Sequence, residues 1–261
     1  MTVSIPGMLA TFVLFATGYR QFDMLKRGYI SDRVANFLAV TGLIMTIITV
    51  SIGLDINGGR PTTGLMGAML GALLLLIILT TGLKKPVHVL LIAVAPLTGF
   101  FTLIISTSDS FSTVSPIETK TLTHIVISIA AYGAVAFSGT LACLVGWHHS
   151  KLKQKPLPPI VASLPPFDAM EQLFLRTAQT SWILLSAALL TGIFYIEDFW
   201  AQHLAHKTAL SATAWIVTGF ALLQHVQQGG VTKSMRKTSI IAAGLLCVGY
   251  LGSKAILEFF L

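Results

Sequence analysis

The sequence predicts an all-α polytopic membrane protein of about eight transmembrane helices in a single integral domain, residues 1–261, and three observations carry that prediction. Of 261 residues, 54% are hydrophobic and 10% charged, whereas a soluble domain carries about 25% charged residues. Mean hydropathy is +0.80. Eight apolar runs can be drawn, each near the roughly 20 residues that cross a bilayer. A cytosolic globule and a disordered chain are excluded. The net charge of +7 is read as topology, because basic residues of multispan proteins gather in cytoplasmic loops. The expected partner is membrane lipid, and no nucleic acid is expected.

The first run, 3–20, lacks a basic stretch before it and a small-residue cleavage site behind it, which predicts a retained span and no signal peptide. Runs two to four cover 34–53, 63–82 and 87–106. Gly64, Gly67 and Gly71 of the third allow close helix approach, and Pro96 predicts a kink in the fourth. The fifth run, 122–146, is followed by Pro156, Pro158, Pro159, Pro165 and Pro166, which forbid helix until Pro166 opens one. Asp168 and Glu171 then suit the first turn, and Phe167, Met170, Leu173 and Phe174 share one face. This predicts an interfacial helix at 166–177 on the cytoplasmic side; the alternative is an extension of the sixth run, 178–196, by two turns. The last runs are 208–226 and 239–257.

Loops after odd-numbered runs hold 13 of the Lys and Arg residues, and the opposite side holds only Arg60, Lys120, Lys207 and Lys254. The positive-inside bias then predicts both termini outside, in the periplasm for a bacterial inner membrane.

Cys143 and Cys247 sit inside apolar runs and form no CxxC pair or disulfide framework. No acidic residue stands in the middle of a run and no inverted repeat is visible, which disfavours secondary transport. Seven histidines remain. His88, His148, His149 and His225 fall at inner ends, where anchoring at headgroup depth is the plain reading. His124 opens the fifth run on the outer side, and His203 and His206 precede the seventh. His124 and His148 are 24 residues apart, about 36 Å along a helix, and cannot share a ligand. His124 and His206 approach one face from separate segments, as two axial ligands of one haem iron require. A second reading pairs His203 and His206 with Glu197 or Asp198 around zinc. A cytochrome with two stacked haems needs paired histidines within each of two spans, and no two spans offer them.

The stretches GIFYIEDFWAQHLAHKTALSATAW at 192–215, SLPPFDAMEQLFLR at 163–176 and YLGSKAILE at 250–258 resemble the YpjD branch of the cytochrome c assembly superfamily. That branch is akin to HemX and more distantly to the CcsA and CcmC haem-handling proteins. The resemblance covers the chain from Leu122 onward; the first four runs match in length and hydrophobicity alone. It implies an all-helical inner-membrane protein presenting haem on its outer side between two histidines that flank a Trp-rich segment. His124 of LTHIVIS matches the first of these, and His206 of AHKT falls just after the Trp-rich place. Only Trp200 stands in that segment, and no Asp-Pro-Lys-Glu follows it. The resemblance therefore implies binding of haem b, with iron between His124 and His206, more than its delivery.

The two propionates of a haem would call for cations on the outer side. Lys207 adjoins His206, and Lys254 lies one turn inside the outer end of the eighth run, where snorkelling is the plain alternative. The resulting expectation is a haem-binding or haem-handling membrane protein that catalyses no bond chemistry. Its rivals are an accessory subunit of another membrane complex, docked through the glycine stripe of the third run and the interfacial helix, and a metal or small-molecule transporter.

Overall fold

A backbone inside hydrocarbon has no water to bond, so each apolar run must satisfy its amides within its own helix. The computed structural model describes residues 4–29, 32–56, 62–83, 87–107, 119–152, 161, 164–195 and 205–249. Among them run eight α-helices: α1 (Ser4–Lys26), α2 (Arg33–Ile56), α3 (Thr63–Gly82), α4 (Leu91–Thr107), α5 (Thr119–Leu152), α6 (Phe167–Tyr195), α7 (Ala205–Gln228) and α8 (Lys233–Cys247). No strand occurs among the described residues. The fold is all-α and polytopic. Several hydroxyls inside the helices turn back on their own turns: Thr46 bonds the Gly42 carbonyl, Thr98 that of Val94 and Thr218 that of Ala214, each at 2.8 Å. Such residues sit in apolar surroundings without an unpaired proton.

Helices α2 to α7, with α4 taken together with its leading turn His88–Leu90, are long and apolar enough to cross a membrane. Helix α1 carries Arg20, Gln21, Asp23 and Lys26 in its last turns, and the eighth run is described only through Gly249. Helix α1 ends where Gly28 takes φ 84°. Its amide bonds the Leu25 carbonyl and that of Tyr29 bonds Met24, both at 3.0 Å, a helix stop that a Cβ would strain.

Packing gathers the chain into two compact units, Met1–Ile117 with Pro156–Pro165, and Glu118–Lys155 with Pro166–Leu261. In the first unit α1 packs on α2 and α4, and α3 on α4 and α2. The glycine stripe of α3 is covered there: Gly67 faces the Phe101 ring and Gly71 faces Thr98, both on α4. An outside subunit therefore has no access to those two glycines. Pro96 lies inside α4, and its ring lies against Gly18 of α1.

In the second unit the four helices pack as a ring, α5 on α6, α6 on α7, α7 on α8 and α8 on α5. Its core joins Ala131 and Val135, Leu185 and Ala188, Ala214, and Ala242 and Leu246, so each helix contributes at least one alanine that lets its neighbour approach. The stretch expected as an interfacial helix, 166–177, is instead the first third of α6. Its buried positions, Met170, Phe174, Ala178, Ser181, Leu185, Ala188 and Gly192, continue one helical stripe across the expected boundary, and neither Gly nor Pro interrupts it before Gly192.

Candidate functional site

His124 stands in the second turn of α5, half-buried against α6. Its Nδ1 lies 3.0 Å from Thr191 Oγ1. The Thr191 hydroxyl already donates to the carbonyls of Ala187 at 2.9 Å and Ala188 at 3.1 Å. With its proton turned to those carbonyls, Oγ1 offers the imidazole a lone pair, and the tautomer of His124 decides which of the two donates. Nε2 lies 3.4 Å from Ser128 Oγ, a contact at the long limit of hydrogen bonding. Gly192 completes the seat: a Cβ there would stand 3.2 Å from His124 Cε1.

Further along α5, Tyr132 OH lies 3.2 Å from Ser211 Oγ of α7. Tyr132 is eight residues, about 12 Å, beyond His124, and Ser211 is five residues, about 7.5 Å, beyond His206. Both helices begin at the same end of the unit, so this bond fixes the first turn of α7, which contains His206, at the end where His124 lies. Below it Trp215 Nε1 donates to Ser186 Oγ at 2.7 Å, and Trp215 stacks on Trp182. The backbones of His206 and Lys207 are helical, their side chains lie outside the described residues, and so do Lys254, His203, Glu197, Asp198 and Trp200. Among the described residues no three His, Cys, Asp or Glu side chains form a metal cluster, and Cys143 and Cys247 are free thiols.

Two of the histidines expected at inner ends depart from the anchoring expectation. His88 is 6% exposed and His148 3% exposed, so neither rests among headgroups. His148 Nδ1 lies 3.2 Å from Met170 Sδ, with the Phe167 ring edge-on at 5.7 Å. For His148 the cause is α6 itself, whose first turns fold over the end of α5; the His88 ring lies against Gly82 at the end of α3. His225 bonds the Gly230 carbonyl at 3.0 Å and helps close α7. The sequence reading missed Ser128, Thr191 and Gly192. Ser128 and Tyr132 were available as the i+4 and i+8 neighbours of His124 on one helix face; Thr191 carries no such local signal.

Residues 7–261 match the profile of the family described as Cytochrome C assembly protein. The chain belongs to the cytochrome c assembly protein family. It is 27% identical over 135 residues to the inner membrane protein YpjD of Escherichia coli K12, covering 52% of this chain and 51% of that protein. It is 29% identical over 137 residues to a 28.8 kDa protein from the nifR3-like 5′ region of Azospirillum brasilense, with the same coverage. The matched stretch spans about half the length of these curated relatives. No solved structure matches this member of the cytochrome c assembly family at a significant level.

Proposed function

We propose that this protein binds haem b at the outer face of a bacterial inner membrane, iron held between His124 and His206, and handles it without catalysing bond chemistry. The observation that carries the reading is the seat of His124, where Nδ1 is engaged by Thr191 at 3.0 Å and Nε2 meets only the long Ser128 contact at 3.4 Å, an arrangement that suits an imidazole ligating haem iron. The Tyr132 to Ser211 register supports His206 as the second ligand. Membership of a family described by cytochrome c assembly supports haem as the cargo. Bound haem would supply a redox-active iron, and Lys207 and Lys254 would pair its propionates. In this reading both chain termini face the periplasm.

The test is the absorbance of the purified protein. A Soret band that shifts or disappears in His124→Ala and in His206→Ala, and persists in His88→Ala and His225→Ala, is the expected result. Unchanged spectra in both outer variants refute the ligand assignment. A colourless protein that copurifies with a larger membrane protein favours the accessory-subunit reading, and metal content that depends on His203 together with His206 favours zinc.

A further inference from the structure

We propose that Thr191 is the positioning residue that fixes His124 as the neutral Nδ1–H tautomer, making Nε2 the only ring nitrogen open to a metal centre. The inference deepens the haem reading, and its first test stands without haem.

The assignment follows from proton counting. Thr191 Oγ1 has one proton and two lone pairs. The carbonyls of Ala187 and Ala188, at 2.9 and 3.1 Å, share the proton; a carbonyl has none to return, so the direction of those bonds is fixed. With the proton so used, what Oγ1 offers His124 is a lone pair, which assigns the donor role to the ring nitrogen facing it at 3.0 Å. Among the described residues no carboxylate bonds the ring, so nothing there favours a second ring proton. Ser128, one turn along α5, lies 3.4 Å from Nε2 and can donate to it. A metal centre displaces this long bond at little cost, whereas displacing the Thr191 bond would orphan a ring proton.

The acceptor also tunes the ligand. A carboxylate on the second nitrogen draws its proton and raises the basicity of the first. A threonine hydroxyl accepts without that charge, so His124 stays a neutral imidazole and grips iron less strongly than a carboxylate-backed histidine. Gly192 matters in the same arrangement, since it leaves the ring edge free to close on the α6 backbone.

The experiment uses the full-length protein, labelled with ¹⁵N-histidine, in nanodiscs without haem. Protonated and bare imidazole nitrogens resonate far apart, and the His124 signals are identified by their loss in His124→Gln. Expected are a protonated Nδ1 and bare Nε2 in the parent, a mixed or reversed tautomer in Thr191→Val, and recovery of the parent pattern in Thr191→Ser. Ser128→Ala should retain Nδ1–H, which shows that the Ser128 contact at Nε2 is not the cause. An Nε2–H parent, or an Nδ1–H tautomer that survives in Thr191→Val, overturns the proposal. Haem titration is the second readout. Thr191→Val should bind about 10- to 100-fold more weakly, the usual effect of removing a partner behind a ligand, while Thr191→Ser stays near the parent. Unaltered haem affinity in Thr191→Val despite a changed tautomer overturns the positioning role. A parent protein that binds no haem sinks the proposed function and leaves the tautomer result to decide this inference alone.

Discussion

Trp182 of α6 and Trp215 of α7 stack nearly parallel, their ring centroids 5.5 Å apart and their planes 15° from each other. Only one of the two indoles is bonded: Trp215 Nε1 donates to Ser186 at 2.7 Å, and the buried Trp182 Nε1, close over Gly219, has no partner among the described residues. The pair should therefore respond unequally. Trp215→Phe loses a hydrogen bond and leaves Ser186 without a donor, costing about 1 to 2 kcal/mol; Trp182→Phe removes an unpaired polar group and should cost less. Thermal midpoints in one detergent compare them, and a larger loss at Trp182 would contradict the bonding assignment.

Gly71 and Thr98 meet across the α3–α4 contact. Gly71→Ala should destabilise the first unit by about 1 to 3 kcal/mol through overpacking. Thr98→Ala in the same chain should recover part of that loss. Additive effects in a double-mutant cycle would show that the two positions do not touch.

Acid should weaken the joint between α1 and α2. Asp32 Oδ2 accepts from Arg20 Nε at 2.7 Å, and that bond, against an opposing burial cost and with help from the Val34 amide, holds the carboxyl below the ordinary range. A carboxyl lowered in the folded state adds stability above its unfolded pKa and loses it as pH falls through the folded value. Asp32→Asn should flatten the acid limb of a plot of thermal midpoint against pH. An equally steep limb in the variant would place the titration elsewhere.

Orientation rests on the 13 to 4 distribution of basic residues. A phosphatase reporter after Leu261 should be active outside, and one inserted between 150 and 160 should be silent there. Activity at the inner position would overturn both the orientation and the outer site.

Under the haem reading, Lys207→Gln and Lys254→Gln should each loosen haem by about 1.5 to 3 kcal/mol, the worth of a hydrogen bond to a charged group, and leave the axial-ligand spectrum intact. Affinity equal to the parent in both would return the lysines to snorkelling and anchoring.

Hydropathy found the middles of the helices more readily than their ends. The run at 63–82 coincides with α3, Thr63–Gly82, whereas the run at 122–146 became a helix from Thr119 to Leu152, because helix continues beyond the hydrocarbon with polar residues that hydropathy does not register. The same blindness split α6 at Arg176. His124 was legible as a chemical residue at a helix start. Its seat was not, since Thr191 is one of several threonines in apolar runs, and only the fold distinguishes the one that meets a histidine from those that merely cap their own turns. Burial of His88 and His148 was hidden for a related reason: a position near a helix end reads as interfacial until a neighbouring helix is known to cover it.

Helix α5 has 34 residues, about 51 Å of rise against roughly 30 Å of hydrocarbon. Some 20 Å must therefore stand in headgroups or water, and the buried contact of His148 with Met170, beside the Phe167 ring, sits at one end of that surplus. The second unit is thus held by two solvents. Its stem relies on packing in lipid, where apolar burial gains nothing from water, while the projecting end is cemented by the ordinary hydrophobic effect. Urea should loosen the end that carries His148 before it reaches the stem, and harsh detergent should do the reverse.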